Sequence, residues 1–174
     1  MVVFDAGILI KLLDPRTVAA EREKLEYLVA TLQKDRVKIL IPTPALSEFY
    51  VKADPSVLNA LRDKSAFQVA PFDEKSAIEC AISVRSAKES GNKKGAQKDA
   101  PWAKVKFDHQ IVAIAKTNSA QKIYSEDHGL RVFAQAQGID AHSVDDLPED
   151  PATAQQKLDL VVPDATPGAA DGSK

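Results

Sequence analysis

The sequence predicts an α/β fold with a mostly parallel sheet and helices on both faces. Short runs of strand-forming residues alternate with longer amphipathic stretches along most of the 174 residues. Glycines and prolines mark the boundaries between them. Acids stand just past expected strand ends at Asp5 and Asp127, where sheets of this kind place their ligand sites.

The elements follow in order. Val2-Val3-Phe4 is too short for a helix and rich in strand formers. After Gly7, Ile8 to Leu13 reads as a short helix stopped by Asp14-Pro15. Residues 16–34 carry Val18, Leu25, Leu28, Val29 and Leu32 at helical spacing. Lys38 to Ile41 is a second strand, and Thr43-Pro44 supplies an N-cap and an N1 proline for the next helix. A helix is expected from Pro55 to Lys64, and Phe67 to Ala70 alternates as a third strand. Asp73 caps a long helix reaching about Lys88, with Ala77, Ile78, Ala81, Ile82 and Val84 inside and Cys80 in the core among them. Gly91 to Pro101 reads as a polar loop, and Phe107 to Thr117 as a helix. Lys122 to Tyr124 is a strand, His128 to Gln137 a helix closed by Gly138, and Ile139 to Val144 a last strand. This gives one domain over residues 1–147. Residues 148–174, rich in Pro, Ala and acids, read as a mobile tail.

Composition narrows the function classes. The 44% hydrophobic and 28% charged fractions are those of a soluble globular domain. No apolar run reaches the roughly 20 residues of a membrane helix. Asp5 and Lys11 interrupt any signal-peptide pattern. A single cysteine, Cys80, excludes an intramolecular disulfide and a cysteine-rich zinc site, and it points to a reducing cytoplasm. The net charge of −2 neither supports nor excludes a nucleic-acid partner.

Four carboxylate motifs carry the chemistry: Val2-Val3-Phe4-Asp5, Leu46-Ser47-Glu48, Phe107-Asp108 before Ile111-Val112-Ala113, and Ser125-Glu126-Asp127. Each acid lies beside apolar sequence, where an unpaired charge is costly. Converging, they would form a hard-oxygen site for Mg²⁺ or Mn²⁺. Each also fits an ordinary role. Asp5, Asp108 and Asp127 fit helix caps, and Glu48 a solvated helix position. Asp73 reads as a cap, Glu79 and Glu126 as solvated, and His109 and His128 as surface or outer residues with no metal-ligand spacing.

The ordered set resembles the PIN-domain ribonucleases, most closely the VapC-type toxins of toxin–antitoxin pairs, over residues 1–145. The resemblance implies a three-layer α/β/α nuclease that binds Mg²⁺ or Mn²⁺ and cleaves RNA. Asp5, Glu48 and Asp108 match the three principal acids of the family, and Asp127 the fourth. Ser125 matches the hydroxyl residue of that last motif. A small antitoxin partner and a homodimer are also implied. The chain departs from the family at Ala6 and Gly7, where a hydroxyl residue often follows the first Asp. That departure keeps open an alternative, a catalytically weak PIN-like module that binds RNA or protein. A haloacid-dehalogenase-type phosphatase fits poorly, because Asp5-Ala6-Gly7 lacks the second Asp it needs.

Residues 85–106 form a basic segment with seven positive charges against Glu89 and Asp99. Arg85, Lys93, Lys94, Lys98 and Lys106 are candidate phosphate contacts, and Trp102 is a candidate stacking surface for single-stranded RNA. A solvated loop with Trp102 packed on the body is the ordinary alternative.

Overall fold

A computed structural model of the chain describes residues 1–53, 65–91, 94 and 97–152. The expected helix over residues 55–64, Lys93, and most of the expected tail lie outside the described residues. The described residues form five strands: β1 (Val2–Phe4), β2 (Ile39–Pro42), β3 (Phe67–Ala70), β4 (Lys122–Tyr124) and β5 (Asp140–His142). Among the described residues six helices accompany them: α1 (Ala6–Leu13), α2 (Ala19–Lys34), α3 (Thr43–Lys52), α4 (Glu74–Glu89), α5 (Trp102–Thr117) and α6 (His128–Ala136). The sheet is parallel throughout, in the order β3-β2-β1-β4-β5. Both layers of helices are in place, so the fold is three-layer α/β/α.

Strand alternation sorts the core onto two faces. Val2, Phe4, Ile39, Ile41 and Tyr124 point to the face covered by α1 and α2. Val3, Leu40, Ile123 and Ala141 point to the face covered by α5 and α6. The α3 helix contributes to both, with Leu46 and Phe49 on one side and Ala45 on the other. Phe4 is fully buried and meets Phe67 and Tyr124 edge-on, with ring centroids 6.3 and 5.5 Å away. Because β1 is central, the chain builds outward first through β2 and β3, then returns to β1 and builds outward through β4 and β5. This reversal opens a crevice beyond the carboxyl ends of β1 and β4.

Several local expectations are corrected. The α5 helix begins at Trp102, with Pro101 at its N-cap, five residues before the expected start at Phe107. Thr43 is the first residue of α3, and its Oγ1 accepts the Phe72 amide instead of capping. Cys80 is only half-buried, and Ile78 and Ile82 are 56% and 58% exposed. The reason is the chemistry of the α4–α5 contact. Ser76 bonds Thr117, Ser83 bonds His109, and Glu79 pairs with Lys116. These small and polar residues take the inner face of α4, which turns the isoleucines outward. Asp73 caps α4 as expected, accepting the Ser76 amide at 2.9 Å. No helix among the described residues is long and apolar enough to cross a membrane.

Candidate active site

Asp5 follows β1 directly, and Ser125 to Asp127 follow β4, so both groups stand at the crevice. Asp5 occupies the N-cap position of α1, yet its side chain makes no capping hydrogen bond. Its Oδ2 instead accepts the Ser125 hydroxyl at 2.7 Å. The Ser125 oxygen in turn accepts the Asp127 amide at 3.0 Å, which fixes both ends of this link. Burial pushes the Asp5 carboxyl up to about 6, and the charges of Glu48 and Asp108 push it the same way. Ser125 and the Ala6 amide oppose the rise.

Asp108 lies inside α5, well past the first turn, so helix capping is no longer an account of it. It is buried, and burial followed by the Asp127 charge raises its pKa against the pull of Gln97 and Lys104. Gln97 Nε2 donates to its Oδ2 at 2.7 Å. Lys104, one turn earlier on the same helix, places Nζ 3.4 Å from that oxygen. Glu48 sits half-buried on α3 and is felt electrostatically by Asp5.

Asp127 does two things. Its Oδ1 caps α6 through the Gly129 and Leu130 amides, at 2.8 and 3.2 Å. Its Oδ2 pairs with Lys104 Nζ at 2.6 Å. Burial alone would raise its pKa, but Lys104 and the cap hold it below the ordinary carboxylate range.

Asp5, Glu48, Asp108 and Asp127 therefore converge on one edge of the sheet, linked by charge and hydrogen bonds. The donor chemistry suits a hard divalent cation. Among the described residues, no three His, Cys, Asp or Glu side chains already surround a common point as metal ligands. The set is also uneven. Lys104 serves the Asp108–Asp127 end, whereas among the described residues no ion pair reaches Asp5 or Glu48.

Gln97 and Lys104 were not expected in the site. A helix start read at Pro101 would have placed Lys104 four residues before Asp108, a recognised pairing distance. Glu126 is not merely solvated. It pairs with Lys11 at 2.8 Å and accepts the Val144 amide at 2.9 Å, joining α1 to the loop after β5. His109 is buried, 4.3 Å from Phe133 and 6.2 Å from Trp102 between ring centroids, and burial lowers its pKa. His128 is exposed.

The basic segment divides. Arg85, Lys98 and Lys106 are exposed. Lys94 donates to the Lys98 carbonyl and, with Ser83, His109 and Phe133, lines a cavity of about 340 Å³ behind α5. Trp102 is half-buried with its ring toward His109.

No protein-family model matches the sequence, and no curated protein matches it. Solved structures do match the fold. One is the VapBC2 complex of Rickettsia felis bound to promoter DNA, with a TM-score of 0.58 and 14% identity over 82% of this chain and 98% of that one. Another is the DNA-bound VapBC complex of Salmonella typhimurium, with a TM-score of 0.55 and 15% identity over 82% and 97%. A third is VapC20 of Mycobacterium tuberculosis, a toxin that cleaves the sarcin–ricin loop, with a TM-score of 0.52 and 13% identity over 80% and 96%. The chain thus has a PIN-domain, VapC-like fold.

Proposed function

We propose that this chain is a metal-dependent endoribonuclease, the toxin of a toxin–antitoxin pair. The carrying observation is the meeting of Asp5, Glu48, Asp108 and Asp127 at the β1–β4 crevice of a VapC-like fold. A Mg²⁺ or Mn²⁺ ion held there would supply an activated water and offset phosphodiester charge. Asp5 and Asp108 are the acids to hold it, with Glu48 beside them as a ligand through water or as proton acceptor.

The chain's own residues prepare the site. Ser125 fixes one oxygen of Asp5. The cap on α6 holds Asp127 in a single orientation. The Lys104 ammonium offsets part of the negative charge that would repel an RNA phosphate. Arg85, Lys94, Lys98 and Lys106, with Lys93, are the candidate phosphate contacts beyond it.

A small antitoxin and a second copy of the chain are the proposed partners. Exposed Val18, Tyr50 and Val51, at the start of α2 and on α3, are apolar surface that such partners would cover.

The deciding experiment incubates purified protein with structured RNA in Mg²⁺ or Mn²⁺. Cleavage that stops with excess chelator and with Asp5→Asn or Asp108→Asn supports the reading. Equal cleavage in chelator sinks it. RNA binding without cleavage in either metal would favour the weak-module alternative, which Ala6 and Gly7 keep in view.

A further inference from the structure

Lys104 is more than a neighbour of the acids. Its ammonium group has three hydrogens to donate, and three oxygens stand around it. Asp127 Oδ2 lies at 2.6 Å, Gln97 Oε1 at 2.8 Å and Asp108 Oδ2 at 3.4 Å. Gln97 closes a ring, since its Nε2 donates to the same Asp108 oxygen that faces Lys104. Both Asp127 oxygens are engaged, one by the α6 cap and one by Lys104. A divalent ion binding Asp127 Oδ1 would displace a cap amide, and one binding Oδ2 would lie against the Lys104 ammonium and be repelled by it.

Gln97 has a prepared seat. A Cβ on Gly129 would fall 2.4 Å from Gln97 Cδ and 2.6 Å from its Oε1. The missing side chain at the first turn of α6 thus lets Gln97 lie across it and reach Lys104 and Asp108. At the other end of the acidic set, Asp5 Oδ2 is held by Ser125, while Asp5 Oδ1 and Glu48 meet no ammonium or guanidinium group among the described residues.

We propose that Lys104, seated by Gln97 over Gly129, is a built-in cation at the Asp127 end, so that the site takes a single divalent ion at the Asp5 end. This rests on the reading of the acids as a metal centre and deepens it. It makes Lys104 and Gln97 positioning residues, and it gives Asp127 the role of anchoring Lys104 instead of binding metal.

The test counts Mn²⁺ ions on the purified chain by electron paramagnetic resonance and equilibrium dialysis, without RNA. The wild type should bind one ion. Lys104→Ala should bind two, the second at the vacated Asp108–Asp127 pair, and Lys104→Arg should return the count to one. Asp127→Asn should leave the affinity of the first ion nearly unchanged, whereas Asp5→Asn should weaken it by at least about tenfold. Circular dichroism of each variant confirms that it is folded. Two ions on the wild type, or one ion on folded Lys104→Ala, would overturn the role given to Lys104 and leave the metal centre standing. Absence of binding in wild type and variants alike would overturn both.

Discussion

Ser125 donates its hydroxyl hydrogen to Asp5 Oδ2 at 2.7 Å, joining residues 120 positions apart in the chain. The bond spans neighbouring strands β1 and β4 and is fully buried at Ser125. It ties the acid that follows the first strand to the loop that follows the fourth. Ser125→Ala should destabilise the protein by about 1–3 kcal/mol, the usual range when a buried charged acceptor loses its donor. Urea unfolding at neutral pH measures it. A change below a few tenths would mean that water replaces the hydroxyl without cost.

The contribution of Asp5 to the stability of the metal-free protein should fall as pH rises from about 4 to about 6. Asp5 titrates near 3.8 in an unfolded chain and near 6 when folded, so the folded state holds the proton more tightly. Protonation therefore favours folding, and the full penalty is present above pH 6. Asp5→Asn removes it. The variant should exceed wild type in stability at pH 7.5 by up to about 3 kcal/mol, with the gap closing toward pH 4. Comparing the two proteins cancels the other carboxylates. A pH-independent difference would contradict the buried, charge-crowded setting of Asp5.

Glu126 should separate from its neighbours in the Ser125-Glu126-Asp127 motif. Its carboxylate ties Lys11 and the Val144 amide, not the acidic set. Glu126→Gln should lower the melting temperature, at a cost of about 1 kcal/mol, while RNA cleavage changes little. Asp108→Asn should do the reverse. Thermal melts and a cleavage assay on the same preparations distinguish them.

Gly129 and Gln97 should be energetically coupled. Alanine at a helical glycine ordinarily stabilises by about 0.5–1 kcal/mol. Here its Cβ would displace Gln97. Gly129→Ala should give that gain in a Gln97→Ala background and less, or a loss, with Gln97 present. A double-mutant cycle from denaturant unfolding reads the coupling, and additivity within about 0.3 kcal/mol would refute the contact.

Replacing Lys93, Lys94 and Lys98 with Ala should weaken RNA binding and flatten its salt dependence, because fewer counterions are released. Trp102→Ala should behave differently from a simple stacking loss. Its ring packs toward buried His109, so the variant should also melt earlier. Filter binding at several salt concentrations, beside thermal melts, separates the effects. An unchanged salt slope in the triple variant would move the RNA path elsewhere.

Strands β1 and β2 were legible as compact apolar runs and β3 by its alternation, and the parallel order follows from the intervening helices. The acids were legible because strand ends fix where a following residue must stand: Asp5 and Asp127 had no other place to go. Glu48 and Asp108 needed the ordered motif as well. Lys104 and Gln97 were hidden for a specific reason. Their position depends on α5 starting at Trp102, and the polar stretch before it resembles a loop in composition. The outward isoleucines of α4 were hidden too, since periodicity gives a helix an apolar side but does not reveal that serines can pack a tighter contact. His109 was misjudged because nothing in its spacing announces the aromatic rings that enclose it.

The central position of β1 has a consequence for the order in which a ribosome could deliver this molecule. The first strand made receives its second neighbour only when Lys122–Tyr124 has emerged. At typical synthesis rates of about 5–20 residues per second, Ser125 follows Asp5 by roughly 6–24 s. Throughout that interval Asp5 has neither the hydroxyl that holds it nor the strand that buries its flank. The half-made chain thus carries Asp5, Glu48 and Asp108 one by one without an assembled crevice, and the four acids come together only once β4 and the loop after it have joined the sheet.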